Sequence, residues 1–79
     1  MMKLEHVFRF TGNDRLAELR VREHTGKTIF AAFERNPENK SRTKQLYLGQ
    51  DISRAWSSVC AVIGDRKKPT ELEKYVQRE

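Results

Sequence analysis

Residues 51–64 read Asp-Ile-Ser-Arg-Ala-Trp-Ser-Ser-Val-Cys-Ala-Val-Ile-Gly, and here the spacing of the apolar residues changes from that of a strand to that of a helix. Positions 52, 55, 56, 59, 62 and 63 are apolar, which places them on one face of an α-helix. Asp51 is a suitable N-cap residue, and Gly64 is a suitable residue just past the helix end. We therefore predict one amphipathic helix that packs by this face on the rest of the domain, with Trp56 as its main contact.

Four segments before this helix alternate between apolar and polar residues, as strands do. The segments are residues 4–11, 16–23, 28–34 and 45–48. Turn-forming residues such as Gly12 and Gly26 separate them. Strands followed by a helix indicate an α+β domain, with a small antiparallel meander sheet of three or four strands and one face covered by a single helix. Residues 65–79 form a charged tail, in which residues 69–76 are either a short second helix or an irregular end.

Length, charge and cysteine content restrict the class of protein. The chain has 79 residues, 16 Lys and Arg against 11 Asp and Glu, and a formal net charge of +5. This length predicts one domain, residues 1–79, with a thin core. Cys60 is the single cysteine, which excludes an internal disulfide framework and a Cys-rich zinc site. The longest apolar run, residues 59–63, is far shorter than the ~20 residues that span a bilayer, and the first residues lack an apolar signal segment. We expect a soluble, cytoplasmic protein with no metal or cofactor.

Alternation assigns the strand side chains to two faces of the sheet. The predicted core face consists of Leu4, His6, Phe8, Phe10, Ala17, Leu19, Val21, Ile29, Ala31, Phe33, Leu46 and Leu48. The other face stays open to solvent, because a single helix covers only one side of a sheet. This open side is predicted to carry Arg9, Arg20, Arg22, Phe30 and Tyr47, together with Glu5 and Glu18.

The positive charge is concentrated beside the open side of the sheet. Residues 27–44 carry five Lys and Arg against two Glu. The polar loop 35–44 supplies Arg35, Lys40, Arg42 and Lys44. Arginines pair with phosphates and base edges, and exposed aromatic rings stack on bases. We therefore predict a non-catalytic nucleic-acid-binding protein, with duplex DNA favoured, that uses the open sheet face and the basic loop. The competing interpretation is that the charge serves solubility and that Glu18 neutralises arginines on neighbouring strands.

A family resemblance points in the same direction. The strand Lys27–Arg35, the basic loop, the segment Gln45-Leu46-Tyr47-Leu48-Gly49-Gln50 and the helix with Ala55 and Trp56 follow one another along the chain. This arrangement resembles the three-stranded-sheet-plus-helix DNA-binding domains of plant ethylene-response factors and the arm-binding domains of phage integrases. The resemblance implies that the sheet enters the DNA major groove, and it would implicate Arg20, Arg22, Phe30 and Arg35. This chain differs from those domains in its longer loop and its additional N-terminal strand.

Other classes of function remain open from the sequence. A small protein-interaction regulator or inhibitor, of the type encoded by phages and mobile elements, would use Phe30, Tyr47 and nearby arginines to bind a partner with an acidic patch. A homodimer would cover unpaired strand edges and enlarge the thin core. A small ribonuclease would draw on Glu23, His24 and Lys27 in one hairpin for proton transfer. No catalytic motif is present, so an enzyme is the least favoured of these interpretations.

Overall fold

The computed structural model describes residues 4–24, 26–39 and 42–73 of the chain. Its elements are β1 (Leu4–Gly12), β2 (Arg15–His24), β3 (Lys27–Arg35), β4 (Thr43–Gly49), α1 (Ile52–Ile63) and α2 (Thr70–Glu73). Neighbouring strands are antiparallel, and the sheet order is β1-β2-β3-β4. Helix α1 packs mainly across β2 and β3. The predicted α+β meander with one covering helix is confirmed, and the sheet has four strands.

Two-residue turns join the first three strands. Asn13 and Asp14 both have positive φ, 53° and 58°, which is the backbone of a type I′ turn and matches the twist of paired strands. In the second turn Gly26 has a φ of 77°, which glycine adopts without steric cost. As a result β1 pairs with β2, and β2 with β3, in a continuous register.

Helix α1 begins and ends where the sequence predicts. Asp51 Oδ1 accepts hydrogen bonds from the backbone N–H groups of Ser53 and Arg54, at 2.9 and 3.3 Å. Gly64, with a φ of 95°, donates its N–H to the carbonyl of Cys60 at 2.8 Å. The buried face of α1 consists of Ile52, Ala55, Trp56, Val59, Val62 and Ile63. All six apolar positions predicted to face the sheet are therefore confirmed.

Trp56 joins the helix to the sheet, as predicted. Its ring meets the ring of Phe10 on β1 edge to face, with 5.1 Å between the centroids and 76° between the planes. Its Nε1–H donates a hydrogen bond to the backbone carbonyl of Arg66 at 3.2 Å. The indole thus buries its apolar surface while its polar atom keeps a partner.

The segment after α1 contributes to the core through α2. Leu72 in this four-residue helix is fully buried in the core cluster. Its backbone N–H donates to the carbonyl of Pro69 at 3.0 Å. The short second helix is therefore present over residues 70–73. Residues 74–79, which include the predicted helical positions Tyr75 and Val76, lie outside the described residues.

Strand β3 packs with the face opposite to the predicted one. Phe30 and Ala32 are buried under α1, at 2% and 0% exposure, so the predicted outward position of Phe30 is wrong. The positions predicted to be inward, Ile29, Ala31 and Phe33, lie on the opposite face.

The reason lies in the register of β3 against β2. Both alternating sets of β3 side chains are largely apolar, so alternation alone does not choose between them. Phe30 pairs directly with Val21, which is fully buried. Residues directly opposite on neighbouring strands share a face, and the register therefore places Phe30 in the core.

A β-bulge changes the face assignment in β4. Tyr47 pairs with Ala32 and Leu48 with Ala31, but the ladder then skips Leu46. Leu46 and Tyr47 both pack against the core, whereas Leu48 is 59% exposed. The prediction was right for Leu46 and wrong for Leu48 and Tyr47, because strict alternation assumes a ladder without a bulge.

Strand β1 lies at the sheet edge and is only partly covered by α1. Phe8 and Phe10 pack against the core as predicted. His6 lies on the predicted face of the sheet, because it pairs with the buried Val21, but its side chain is exposed. The helix lies over β2 and β3 rather than over this end of β1. The side chain of Leu4, also predicted to be inward, lies outside the described part of the structure.

Gly12 allows the first hairpin to approach the end of α1. A Cβ atom at this position would collide with the carbonyl oxygen of Ile63 and lie 2.9 Å from its Cβ. We expect Gly12→Ala to lower the free energy of unfolding by about 1–3 kcal/mol, measured by urea denaturation. Gly26→Ala is the control, because its Cβ meets no atom within 4 Å and adds only the strain of a positive φ, about 1 kcal/mol. A smaller loss at Gly12 than at Gly26 would contradict the close approach.

Candidate nucleic-acid interface

The side of the sheet opposite α1 collects most of the predicted site residues. We call this surface the open face, and its described residues are Glu5, Val7, Arg9, Thr11, Leu16, Glu18, Arg20, Arg22, Lys27, Ile29, Ala31, Phe33, Arg35, Thr43, Gln45 and Leu48. Within this set, four arginines and one lysine stand against two glutamates. The open face therefore carries an excess of positive charge.

Glu18 lies at the centre of the open face, and three arginines surround it. Its side chain is 1% exposed although no helix covers it. Arg35 Nε donates to Glu18 Oε1 at 2.7 Å, and Arg9 Nε approaches the same oxygen at 3.5 Å. Arg20 Nε donates to the other oxygen, Oε2. One carboxylate thus holds guanidinium groups from β1, β2 and β3.

The register explains why these four side chains meet. Arg9 is the direct partner of Glu18 on β1, and Phe33 is its direct partner on β3. Arg20 is two residues further along β2, and Arg35 two residues further along β3, so both belong to the same face as Glu18. The Arg20 guanidinium lies over the Phe33 ring, 5.3 Å from its centroid, which is cation–π geometry.

The guanidinium groups determine the ionisation of Glu18. Burial raises the pKa of the Glu18 carboxyl, but the hydrogen bonds and charges of Arg35 and Arg20 outweigh burial and lower it below the ordinary value of 4.5. Glu34, outside the open face, also has a lowered pKa, because Arg15 donates to both of its oxygens at 2.7 and 2.8 Å. Because their pKa values are lowered, both Glu18 and Glu34 are ionised at neutral pH.

This lowered pKa makes stability depend on pH. A carboxyl whose pKa is lower in the folded state stabilises the fold above its unfolded pKa, and this contribution is lost as pH falls through the folded pKa. We expect the free energy of unfolding to decrease from about pH 5 to about pH 3, measured by chemical denaturation. Glu18→Gln should be less stable at pH 7 and should show a shallower decrease, with Glu34 still contributing. If the free energy of unfolding fell equally steeply with pH in the parent protein and in Glu18→Gln, this role of Glu18 would be contradicted.

Arg22 occupies the end of the open face near the second turn. Its Nη2 donates to Glu5 Oε2 at 3.3 Å, and its side chain is 52% exposed. This exposed pair is neutral overall and contributes little to stability. The prediction that Arg9, Arg20 and Arg22 share one face agrees with the structure, which also places Arg35, predicted in the loop, at the end of β3 on this face.

The predicted basic loop is shorter than expected. Residues 36–42 connect β3 to β4, and Lys44 belongs to β4 beside Glu34, its register partner. The loop is closed by backbone bonds, from Asn36 N–H to the Arg42 carbonyl at 3.1 Å and from Arg42 N–H to the Asn39 carbonyl at 2.9 Å. Arg42 is exposed and follows Arg35 at the same end of the sheet. Lys40 lies outside the described residues.

The two aromatic residues predicted for the open face lie on the helix side of the sheet instead. Phe30 is a core residue, as described above. The Tyr47 hydroxyl accepts a hydrogen bond from the backbone N–H of Asp51 at 3.1 Å, so this ring lies beside the beginning of α1. In their place, the open face presents Val7 and Leu48, at 43% and 59% exposure.

The central role of Glu18 was missed by sequence reasoning, which assigned it only a neutralising effect. A signal was present in the sequence. If residues 13 and 14 form a two-residue turn, Arg9 must pair with Glu18, and the second two-residue turn must place Phe33 on its other side. The position of Arg35 beyond Phe33 then follows.

The candidate ribonuclease residues also lie where the hairpin was expected. His24 pairs with Lys27, and Glu23 pairs with Thr28. Glu23 is half-buried and belongs to the same side of β2 as the core residue Val21. The side chain of His24 lies outside the described part of the structure.

Among the described residues, no group of three or more His, Cys, Asp or Glu is arranged to hold a metal ion. No helix in the described ranges has both the length and the apolar character needed to cross a membrane. No protein-family model, curated protein or solved structure matches this chain. Function is therefore inferred from the chemistry of the open face.

Proposed function

We propose that this protein binds nucleic acid without catalysing a reaction, that duplex DNA is its preferred form, and that the open face and the loop 36–42 make the contacts. The observation that carries the proposal is the cluster of three arginines on the single carboxylate of Glu18. This ratio leaves two positive charges in excess at the centre of the sheet. Guanidinium groups bind phosphate strongly and with defined geometry.

The number of arginines exceeds what Glu18 requires. One guanidinium group would neutralise the carboxylate. The two additional guanidinium groups repel each other, because all three lie around the same carboxylate. A bound polyanion would neutralise the two additional guanidinium groups, and the relief of their repulsion would then add to the binding free energy. Lys27, Arg22 and Arg42 extend the positive surface toward both ends of the sheet, as a phosphate backbone would require.

The aromatic content of the open face favours a duplex over a single strand. Proteins that bind single strands stack bases on exposed aromatic rings. Among the described residues of the open face, Phe33 is the one aromatic side chain, and it is half-buried beneath Arg20. The major groove of B-DNA admits β-strands, whereas that of A-form RNA is too deep and narrow for side chains to reach the bases.

The test is a fluorescence-anisotropy titration of mixed-sequence duplex DNA, single-stranded DNA and duplex RNA over a range of salt. We expect the tightest binding to duplex DNA, with a slope of log K against log salt of roughly −3 to −5, which corresponds to about three to six phosphate contacts. No binding at low salt would overturn the proposal. Tighter binding to single strands or to duplex RNA would overturn the preference for duplex DNA.

A second candidate is a regulator that binds a partner protein with an acidic patch. The observation that favours it is the exposure of Val7 and Leu48 in one row across the open face, with Arg20 and Ala31 between them. Arginine with apolar neighbours is typical of interface centres. Val7→Ser with Leu48→Ser should change duplex affinity by less than about threefold if phosphate attraction dominates binding. Absence of duplex binding in the parent protein would leave this candidate as the one to pursue.

A further inference from the structure

We infer that Glu18 is a positioning residue that allows the open face to discriminate between DNA sequences. This inference rests on the proposed duplex binding and assigns affinity and selectivity to different groups of the open face. The excess charge supplies affinity for any duplex, and the carboxylate supplies selectivity by holding arginines in place. A carboxylate on a surface proposed to bind a polyanion would ordinarily oppose binding, whereas here Glu18 is inferred to contribute to selectivity.

The atoms used in the cluster support this role. Arg9, Arg20 and Arg35 all approach Glu18 through Nε, the inner nitrogen of the guanidinium. Within the described residues, the terminal nitrogens of Arg9 and Arg20 donate no hydrogen bond to the protein. These are the atoms that form paired hydrogen bonds with base edges in the major groove. In Arg9 and Arg20, Glu18 therefore occupies the inner donor and leaves the outer donors to a ligand.

Burial restricts the motion of the Glu18 carboxylate that the arginines approach. The Glu18 side chain is 1% exposed, so it has little freedom to follow a moving arginine. Phe33 supports Arg20 from below, with the guanidinium 5.3 Å from the ring centroid. An arginine that is already ordered loses less entropy on binding and tolerates less variation in its partner. Arginines that are ordered before binding can therefore discriminate between DNA sequences, whereas mobile cations attract any phosphate.

The spacing of the two arginines fits base steps. Arg9 is directly opposite Glu18 on β1, and Arg20 is two residues beyond Glu18 on β2. The Cα atoms of such diagonal neighbours are roughly 7–8 Å apart, close to two steps of about 3.4 Å along a strand. We therefore expect the preferred DNA site to have two selected base positions, about two steps apart, and we expect the base preference at both to depend on Glu18.

The experiment compares two substitutions that conserve charge on the same face. A preferred duplex is first selected from a random library with the parent protein, and its dissociation constant is compared with that of a scrambled duplex. Glu18→Asp shortens the side chain within the arginine cluster, and Glu5→Asp does the same in the exposed pair with Arg22. We expect Glu18→Asp to reduce the ratio of the two dissociation constants about tenfold, with affinity for the scrambled duplex and its salt slope unchanged. Glu5→Asp should leave the ratio within about twofold.

Circular dichroism and thermal unfolding establish that each variant is folded. If Glu18→Asp does not fold, Glu18→Gln replaces it, because the amide keeps the length and one acceptor oxygen of the original side chain. Under the inference this variant also loses discrimination, even though the gain of positive charge raises affinity for scrambled duplex.

The outcomes separate the inference from the proposed function. If the parent protein binds no duplex, the proposed function and the inference are both overturned. If it binds duplexes without preference, or if the folded Glu18 variant keeps the parent ratio, the inference alone is overturned. A loss of selectivity at Glu5 equal to that at Glu18 would also overturn it, since the effect would then not belong to the arginine cluster.

Discussion

Replacing Phe30 with alanine should lower the free energy of unfolding by about 3–5 kcal/mol, the usual cost of removing a buried aromatic ring. Phe30 is 2% exposed and lies opposite the fully buried Val21. Its ring belongs to the core cluster that the sheet shares with α1, so removing it leaves a cavity. A domain of this size has only a few kcal/mol in reserve, so the variant should be largely unfolded at 37 °C. Urea denaturation followed by circular dichroism measures the loss.

Phe33→Ala is the matched control, three residues away on the same strand. Phe33 is half-buried on the open face, and its ring supports Arg20. We expect this variant to lose about 1–2 kcal/mol and to remain folded. The opposite ranking, with Phe33→Ala the more damaging of the two, would show that β3 packs by the face that simple alternation predicts.

Reversing the charge of Arg9 and Arg22 together should weaken duplex binding roughly a hundredfold at about 0.1 M salt. The two side chains are 73% and 52% exposed, so the change alters the open face without removing core packing. Because two cations that neutralise phosphates are then absent, the steepness of the salt slope should also fall by about two. Fluorescence anisotropy with the parent duplex measures both quantities.

The control for this double variant reverses two arginines near α1. Arg54 and Arg66 are exposed, and Arg54 lies 3.7 Å from Asp51 at the beginning of the helix. Both double variants change the formal net charge from +5 to +1, so any difference between them reports location rather than total charge. We expect the control to lose less than about fivefold, since charges on the far side act only through a screened field. Equal losses would mean that the open face has no special part in binding.

Much of the candidate site could be predicted from the sequence, because alternation on β1 and β2 is unambiguous. Arg9, Arg20 and Arg22 each alternate with apolar neighbours of the core, and their placement on one face was correct. Phe30 and Tyr47 were misplaced for different reasons. Phe30 lies in a strand with apolar residues on both sides, and Tyr47 follows a bulge that no local pattern marks.

The helices and strands and their order follow from local sequence patterns. The helix over residues 52–63, its Asp51 and Gly64 ends and the turns at residues 12–14 and 26 depend on neighbours a few positions away. Hydrogen bonds of caps and turns, and the 3.6-residue period, act at that range. The α+β class follows from this order, since a meander with one apolar face needs the helix to cover it.

Which face of β3 is buried, and which residues surround Glu18, depend on contacts between elements that are distant in sequence. Arg9, Glu18 and Arg35 are distant in sequence and meet because two turns and three strands share one register. The energy that selects this register is the burial of Val21 against Phe30 and of Leu19 against Ala32 beneath α1. That burial is a property of the assembled layers, so a carboxylate that alternation leaves on an open surface becomes the buried centre of an arginine cluster.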